Sequence, residues 1–152
     1  MVKIMFVCLG NICRSPMAEF IMRDLVTKKG EADSFYIRSS ATGTWENGNP
    51  VHYGTKKILD RLNISCVGKY SELLRKSDYD KFDYFIGMDE YNRRDMLRIF
   101  GSDPQNKISL LLDYTKTPRA VKDPYYTGDF ESTYQDVVNG TQGLYEHLKS
   151  KN

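Results

Sequence analysis

No stretch of the 152 residues is apolar for long enough to cross a membrane, and the N-terminus reads as a strand, not a signal peptide. Cysteine is scarce. Cys8, Cys13 and Cys66 are an odd set without the spacing of a disulfide scaffold, so they read as catalytic or buried thiols of a cytoplasmic protein. A dominant charge is missing as well: 22 Lys and Arg stand against 20 Asp and Glu, for a net charge of +2. The pairs Lys28-Lys29 and Arg93-Arg94 read as solvated helix surface, which leaves no ground for a nucleic-acid partner or a membrane surface. Repeats, linkers and low-complexity segments are absent too. With 40% hydrophobic residues, the chain is expected to form one domain over residues 1–152 around one sizeable core.

What is present alternates strand and helix. The apolar run at 2–7 reads as a buried strand. A helix follows over 16–29, opened by Pro16 and stopped by Gly30. Phe35-Tyr36-Ile37 is a second strand, 41–50 a Gly- and Asn-rich loop, and 51–62 a helix. A helical turn is expected over 71–76, a third strand over 84–86, a helix over 89–100 ended by Gly101, and a fourth strand over 108–112. A long polar loop then leads to a closing helix over 129–149, in whose middle Gly140 and Gly143 count against the helical reading. Strands separated by helices imply an α/β fold: a four-stranded parallel sheet with helices on both faces. Right-handed crossovers gather the strand ends on one edge, where such folds bind ligands.

The chemistry-bearing stretch lies at that edge, directly after the first strand: Cys8-Leu9-Gly10-Asn11-Ile12-Cys13-Arg14-Ser15. A loop of this length can wrap its N–H groups around one tetrahedral dianion, with Arg14 as a bidentate clamp. Cys8 sits below as a nucleophile. Three features favour its thiolate: the N-terminus of the following helix, the permanent charge of Arg14 and a hydrogen bond from Ser15. Gly10 removes a Cβ where the backbone approaches the ligand, and Asn11 braces the turn and tolerates its dihedrals. The inward N–H groups and Arg14 suit the charge of a phosphoryl-transfer transition state. The spacing of Cys8 and Arg14 alone is also compatible with a buried strand-end cysteine and a surface arginine. The position between strand and helix, with Gly10, Ser15 and Pro16, favours the phosphate-binding loop.

A leaving group needs a proton, and Asp123 in Lys122-Asp123-Pro124-Tyr125-Tyr126 is the best candidate acid. Pro124 stiffens its loop and the two tyrosines offer walls for a planar ring. Asp89 is the rival, but its spacing assigns it as the N-cap of the helix over 90–100.

Cys8 to Pro16 together with Asp123-Pro124-Tyr125-Tyr126 resembles the low-molecular-weight protein tyrosine phosphatases, and the likeness extends over nearly the whole chain. The resemblance implies Cys8 as nucleophile, Arg14 as phosphate clamp and Asp123 as acid and then base, with no metal and no cofactor. It implies phosphotyrosine-containing proteins as substrates, and a loop network of Asn11, Ser15 and Ser39. Leu9, Ile12, Trp45, Glu46, Asn49, Tyr125 and Tyr126 fall at positions that line the family's slot. Related protein arginine phosphatases carry threonine where this chain has Ile12, which points to phosphotyrosine.

Lys69 stands where many eukaryotic members have a histidine. His52 stands at a position usually aspartate, and Gly54 where arginine is common. The family likeness also implies that Cys13 traps oxidised Cys8 as a disulfide. Thioredoxin-coupled arsenate reductase is the alternative, but its relay needs two further cysteines and only Cys66 is available. The exposed tyrosines leave a monomer or weak self-association as the expected state.

Overall fold

The computed structural model describes residues 1–151. Strands β1 (Val2–Cys8), β2 (Phe35–Ala41), β3 (Tyr84–Gly87) and β4 (Ile108–Leu110) form one parallel sheet in the order β2-β1-β3-β4. The helices are α1 (Arg14–Lys28), α2 (Tyr53–Arg61), α3 (Glu90–Phe100), the short α4 (Pro124–Thr127) and α5 (Phe130–Ser150). The expected architecture of four parallel strands with helices on both faces is what forms.

The two faces follow from the period of two along β1. Ile4, Phe6 and Cys8 point to the face covered by α1 and α5, with Met17, Met22, Val137 and Leu144 filling the layer. Met5 and Val7 point to the other face, where Phe85, Met96, Phe100 and Phe82 pack. With both faces covered, β1 is a continuous apolar run from Ile4. Each fully buried Phe, Met or Ile here contributes about 1.5–3 kcal/mol of transfer free energy. β1 lies between β2 and β3, so the chain order reverses at its C-terminal end. That is the position of Cys8.

The local departures from expectation have physical causes. Helix α1 begins at Arg14, two residues before Pro16, because N–H groups of a first turn have no helical acceptor and proline costs nothing there. β2 runs on to Ala41 through polar Arg38, Ser39 and Ser40, held by its pairing to β1. The helical turn expected over 71–76 is not there. Residues 70–74 are an extended strap, bonded through Ser71 N to Asn49 O and Leu74 N to Ala41 O. Those long-range bonds displace the turn, and a 3-10 helix follows at Lys76–Lys81.

The fourth strand ends at Leu110 and continues as a 3-10 turn, Leu111–Tyr114. The long polar loop contains α4, with Asp123 as its N-cap and Pro124 at its first position. α5 runs unbroken through Gly140 and Gly143. A Cβ on Gly143 would stand 2.1 Å from the carbonyl oxygen of Tyr114, and one on Gly140 would stand 2.4 Å from Leu111. The two glycines let the 3-10 turn lie directly on the helix.

Candidate active site

The loop from Cys8 to Arg14 closes over a pocket of about 470 Å³ at the C-terminal edge of the sheet. Leu9, Gly10, Asn11, Ile12 and Cys13 form its floor with Cys8 and Arg14. Trp45, Glu46, Asp123, Tyr125 and Tyr126 form its walls. Every one of these lining residues was expected at the site from sequence. Ser15 sits behind the cysteine, with its Oγ 3.0 Å from Cys8 Sγ. Asn49 does not line the slot; its amide donates to Glu46 and its carbonyl accepts from Ser71. Glu46 also lies against Gly10, where a Cβ would meet it at 3.2 Å.

Cys8 is buried and its sulfur also accepts the N–H of Asn11 at 3.3 Å. Asn11 adopts the left-handed conformation, φ 55°, which asparagine tolerates better than most residues. Its side chain spends every donor. Nδ2 donates to Ser15 Oγ at 2.8 Å and to Ser39 Oγ at 2.9 Å, while Oδ1 accepts from Glu72 N at 3.1 Å. Because Ser15 Oγ already accepts from Asn11, its own proton is free to point at the sulfur. Ser39 Oγ accepts from Asn11 and donates to the buried carboxylate of Glu19, one turn after Ser15 on α1. Among the described residues, the N–H groups of Gly10, Ile12 and Cys13 meet no protein acceptor, so they are free to receive an anion.

Glu19 is paired with Arg23 and lies 3.4 Å from Lys69 Nζ, which donates to the carbonyl of Ser39 at 2.8 Å. Burial pushes the Lys69 ammonium below its ordinary range, and the carboxylates of Glu19 and Glu72 oppose that shift. The strap supplies further bracing: Ser71 Oγ donates to the carbonyl of Gly10 at 2.8 Å. Around Cys13, burial first and the charge at Cys8 second push the thiol far above its ordinary range. Its carbonyl accepts from Thr55 at 2.9 Å.

The Arg14 guanidinium is held rigidly. Nη1 donates to Asp89 at 2.7 Å and to the carbonyl of Val121 at 2.9 Å; Nη2 reaches Asp123 at 3.4 Å. Burial acts against its charge, but Cys8, Asp123 and Asp89 more than offset this and raise its pKa. Both Nη1 protons are thus committed, and the edge carrying Nε and the second Nη2 proton is left to face an anion. Asp123 is fixed at Oδ1 by the N–H of Tyr125 at 3.0 Å. Trp45 and Tyr126 are each 77% exposed, so they stand over the slot instead of filling the core.

Asp89 does cap α3, accepting from Asn92 N at 2.9 Å, but the same carboxylate is the anchor of Arg14. The sequence reading saw the first role and missed the second. Its place directly after β3, on the edge where Cys8 lies, was the available signal. Glu19 and Ser71 were missed as well. Glu19 could have been found from its position four residues after Ser15, whereas nothing local marks Ser71. His52 and Gly54 belong to an aromatic patch beside the slot. His52 stacks on Phe130 at 5.1 Å and meets the edge of Tyr125 at 6.1 Å, and a Cβ on Gly54 would stand 2.5 Å from Phe130. Among the described residues no cluster of His, Cys, Asp and Glu is arranged to hold a metal, and no helix is long and apolar enough to cross a membrane.

The family model described as low molecular weight phosphotyrosine protein phosphatase matches residues 3–152. The low molecular weight protein-tyrosine-phosphatase YfkJ of Bacillus subtilis is 42% identical over 99% of this chain and 98% of its own length. Its crystal structure superposes with a TM-score of 0.96, covering 100% of this chain and 97% of that one. PtpA of Staphylococcus aureus, named likewise, is 40% identical over 97% of this chain and 94% of its own. The structure of a low molecular weight protein tyrosine phosphatase from Streptococcus pyogenes is 43% identical, with a TM-score of 0.87 over 97% of this chain and 93% of that one.

Proposed function

The chain belongs to the low molecular weight phosphotyrosine protein phosphatase family, and from that premise we propose how its residues divide the work of hydrolysing phosphotyrosine through a phosphocysteine. The observation that carries the reading is one pocket in which a buried thiol, a fixed guanidinium and a carboxylate converge.

The phosphate of a phosphotyrosine side chain enters between Trp45 and the Tyr125-Tyr126 wall. Its oxygens take the free N–H groups of the loop and the open edge of Arg14. Cys8 attacks phosphorus as the thiolate, with the Ser15 hydroxyl and the Asn11 N–H holding the sulfur. The P–O bond to the phenol breaks, and Asp123 gives the leaving oxygen its proton. Asp123 then takes a proton from water as water attacks the phosphocysteine, releasing phosphate and restoring the thiolate. The charge on the transferring group is met by Arg14 and the N–H cradle, so no metal is needed.

Ile12 lines the slot without a polar atom, which leaves the N–H groups of a phosphoarginine without a partner and suits a phenyl ring. The free cysteines suit a reducing, cytoplasmic setting, and the whole chain acts as a single catalytic domain, either monomeric or weakly self-associating. The arsenate-reductase alternative gains nothing: the relatives are named as tyrosine phosphatases, and Cys66 is the one cysteine outside the loop.

The test is hydrolysis of p-nitrophenyl phosphate and a phosphotyrosyl peptide in EDTA, for wild type, Cys8→Ser and Asp123→Ala. Wild-type turnover survives EDTA and is inhibited by vanadate, Cys8→Ser abolishes it, and Asp123→Ala slows aryl-ester cleavage about 10²-fold or more. Undiminished turnover in Asp123→Ala would remove that residue from the mechanism.

A further inference from the structure

Two residues that the phosphate chemistry leaves unused, His52 and Gly54, lie together beside the slot. Gly54 is buried in the first turn of α2, and a Cβ there would stand 2.5 Å from the ring of Phe130. The missing Cβ lets Phe130, the first residue of α5, lie over the start of α2. The His52 ring stacks on Phe130 at 5.1 Å and on Tyr53 at 4.8 Å, with interplanar angles of 18° and 26°. Its Nδ1 accepts the N–H of Gly54 at 3.0 Å, which fixes the orientation of the ring. The three rings form a shelf, and Tyr53 on it is 74% exposed.

The shelf is continuous with the slot at two points. The ring of Tyr125, a wall of the slot, meets His52 edge-on at 6.1 Å. The backbone N–H of His52 donates at 2.9 Å to the carbonyl of Ile12, on the floor of the slot. The peptide on either side of a bound phosphotyrosine leaves the slot over its rim. Two or three extended residues span about 7–10 Å, which carries a side chain from the Tyr125 wall onto His52 and Tyr53. Rings held in a stack present apolar area that is already ordered, so a side chain packing on them immobilises little more of the enzyme. That chemistry suits an aromatic or large aliphatic residue.

We propose that Tyr53, His52 and Phe130 form a subsite that selects phosphotyrosyl substrates with an aromatic or large aliphatic residue two or three positions from the phosphotyrosine. The subsite rests on the phosphotyrosine reading of the slot and adds the neighbouring sequence to it. Tyr53 sets the preference, and it stands outside the residues that line the slot.

The test compares kcat/KM for phosphotyrosyl peptides identical except at the second and third positions before or after the phosphotyrosine, where Phe, Leu, Ala or Glu is placed. The control is p-nitrophenyl phosphate, which is too short to reach the shelf. Wild type is expected to favour the Phe and Leu peptides over the Ala peptide about 3–10-fold, while Glu gains nothing over Ala. Tyr53→Ala removes the preference and Tyr53→Phe keeps it. Both variants turn over p-nitrophenyl phosphate within twofold of wild type.

No turnover of any substrate, p-nitrophenyl phosphate included, would remove the phosphotyrosine reading and the subsite with it. Normal turnover with equal kcat/KM for the Phe and Ala peptides, a preference for Glu, or a preference that survives Tyr53→Ala would overturn the subsite alone. Peptide turnover per enzyme that falls as enzyme concentration rises, and is restored by Tyr53→Ala, would assign the shelf to a second copy of the chain and overturn the subsite as well.

Discussion

Replacing Asp89 with Asn separates its two roles. Asn is as good an N-cap as Asp, so the bond to Asn92 N survives, and the side chain keeps its size. With Oδ1 kept as the cap, the amide nitrogen takes the place of Oδ2, so Arg14 Nη1 loses both the charge and the acceptor 2.7 Å away. Hydrogen bonds to charged groups contribute about 1.5–3 kcal/mol, so the loss of grip on Arg14 is about 1.5–3 kcal/mol. The carbonyl of Val121 and the carboxylate of Asp123 remain. The guanidinium is then drawn toward Asp123, which pulls the clamp off its phosphate-facing geometry and ties up the acid. If most of that loss is felt in the transition state, kcat falls about 10–150-fold. KM does not rise, since removing a carboxylate beside the pocket makes it no less attractive to a dianion. Steady-state kinetics on p-nitrophenyl phosphate, with a thermal melt alongside, give both quantities. A kcat within twofold of wild type would show that Asp89 serves the helix alone and that Arg14 is held adequately without it.

Three further outcomes follow from other parts of the molecule. Gly143→Ala, which helix propensity alone would favour by about 1 kcal/mol, is expected to destabilise by about 1–3 kcal/mol, because the new Cβ meets the Tyr114 carbonyl; denaturant titration reads the sign. Asp103 is expected to stabilise the fold in a pH-dependent way. Burial opposes its charge, but the Tyr79 hydroxyl and the amides of Lys107 and Ile108 outweigh burial and hold its carboxyl below the ordinary value of 3.8. Its contribution is therefore complete above that value and is lost as pH falls through the lower folded-state value. The melting-temperature gap between wild type and Asp103→Ala should accordingly close in acid, and a gap that stays constant would refute the assignment. Peroxide inactivation is expected to be reversed by thiol in wild type and to become irreversible in Cys13→Ser, as measured by recovered activity, if the Cys13 thiol condenses with oxidised Cys8 to a disulfide and water.

The parts of this molecule legible in its sequence are those encoded by neighbours. The phosphate-facing loop is eight consecutive residues between a strand and a helix, so its place at the reversal point of the sheet followed from the order of elements alone. Asp123 was singled out by the chemistry its proposed role requires and by the proline that stiffens it, and it lines the pocket. Asp89 was read only as a cap because that local pattern is complete in itself, and the ion pair to Arg14 spans 75 positions. The strap was read as a helical turn because its bonds to Asn49, Ala41 and the loop are made with distant residues. The end of β2 was hidden by polar Arg38, Ser39 and Ser40: Arg38 pairs with Glu72, Ser39 joins the Glu19 network, and the Ser40 hydroxyl is buried without a partner. Gly140 and Gly143 looked like flaws in a helix until the 3-10 turn packed against them was in view.

The central claim is that the phosphoryl group passes through the sulfur of Cys8. Acid quenching of the full chain during turnover of a phosphotyrosyl peptide, followed by peptide mass mapping, reads this directly. The account predicts one phosphoryl group on the peptide carrying Cys8, formed while tyrosine peptide is released, and none in Cys8→Ser. Steady turnover with no phosphoryl group on that peptide, or with one on another residue, would contradict it.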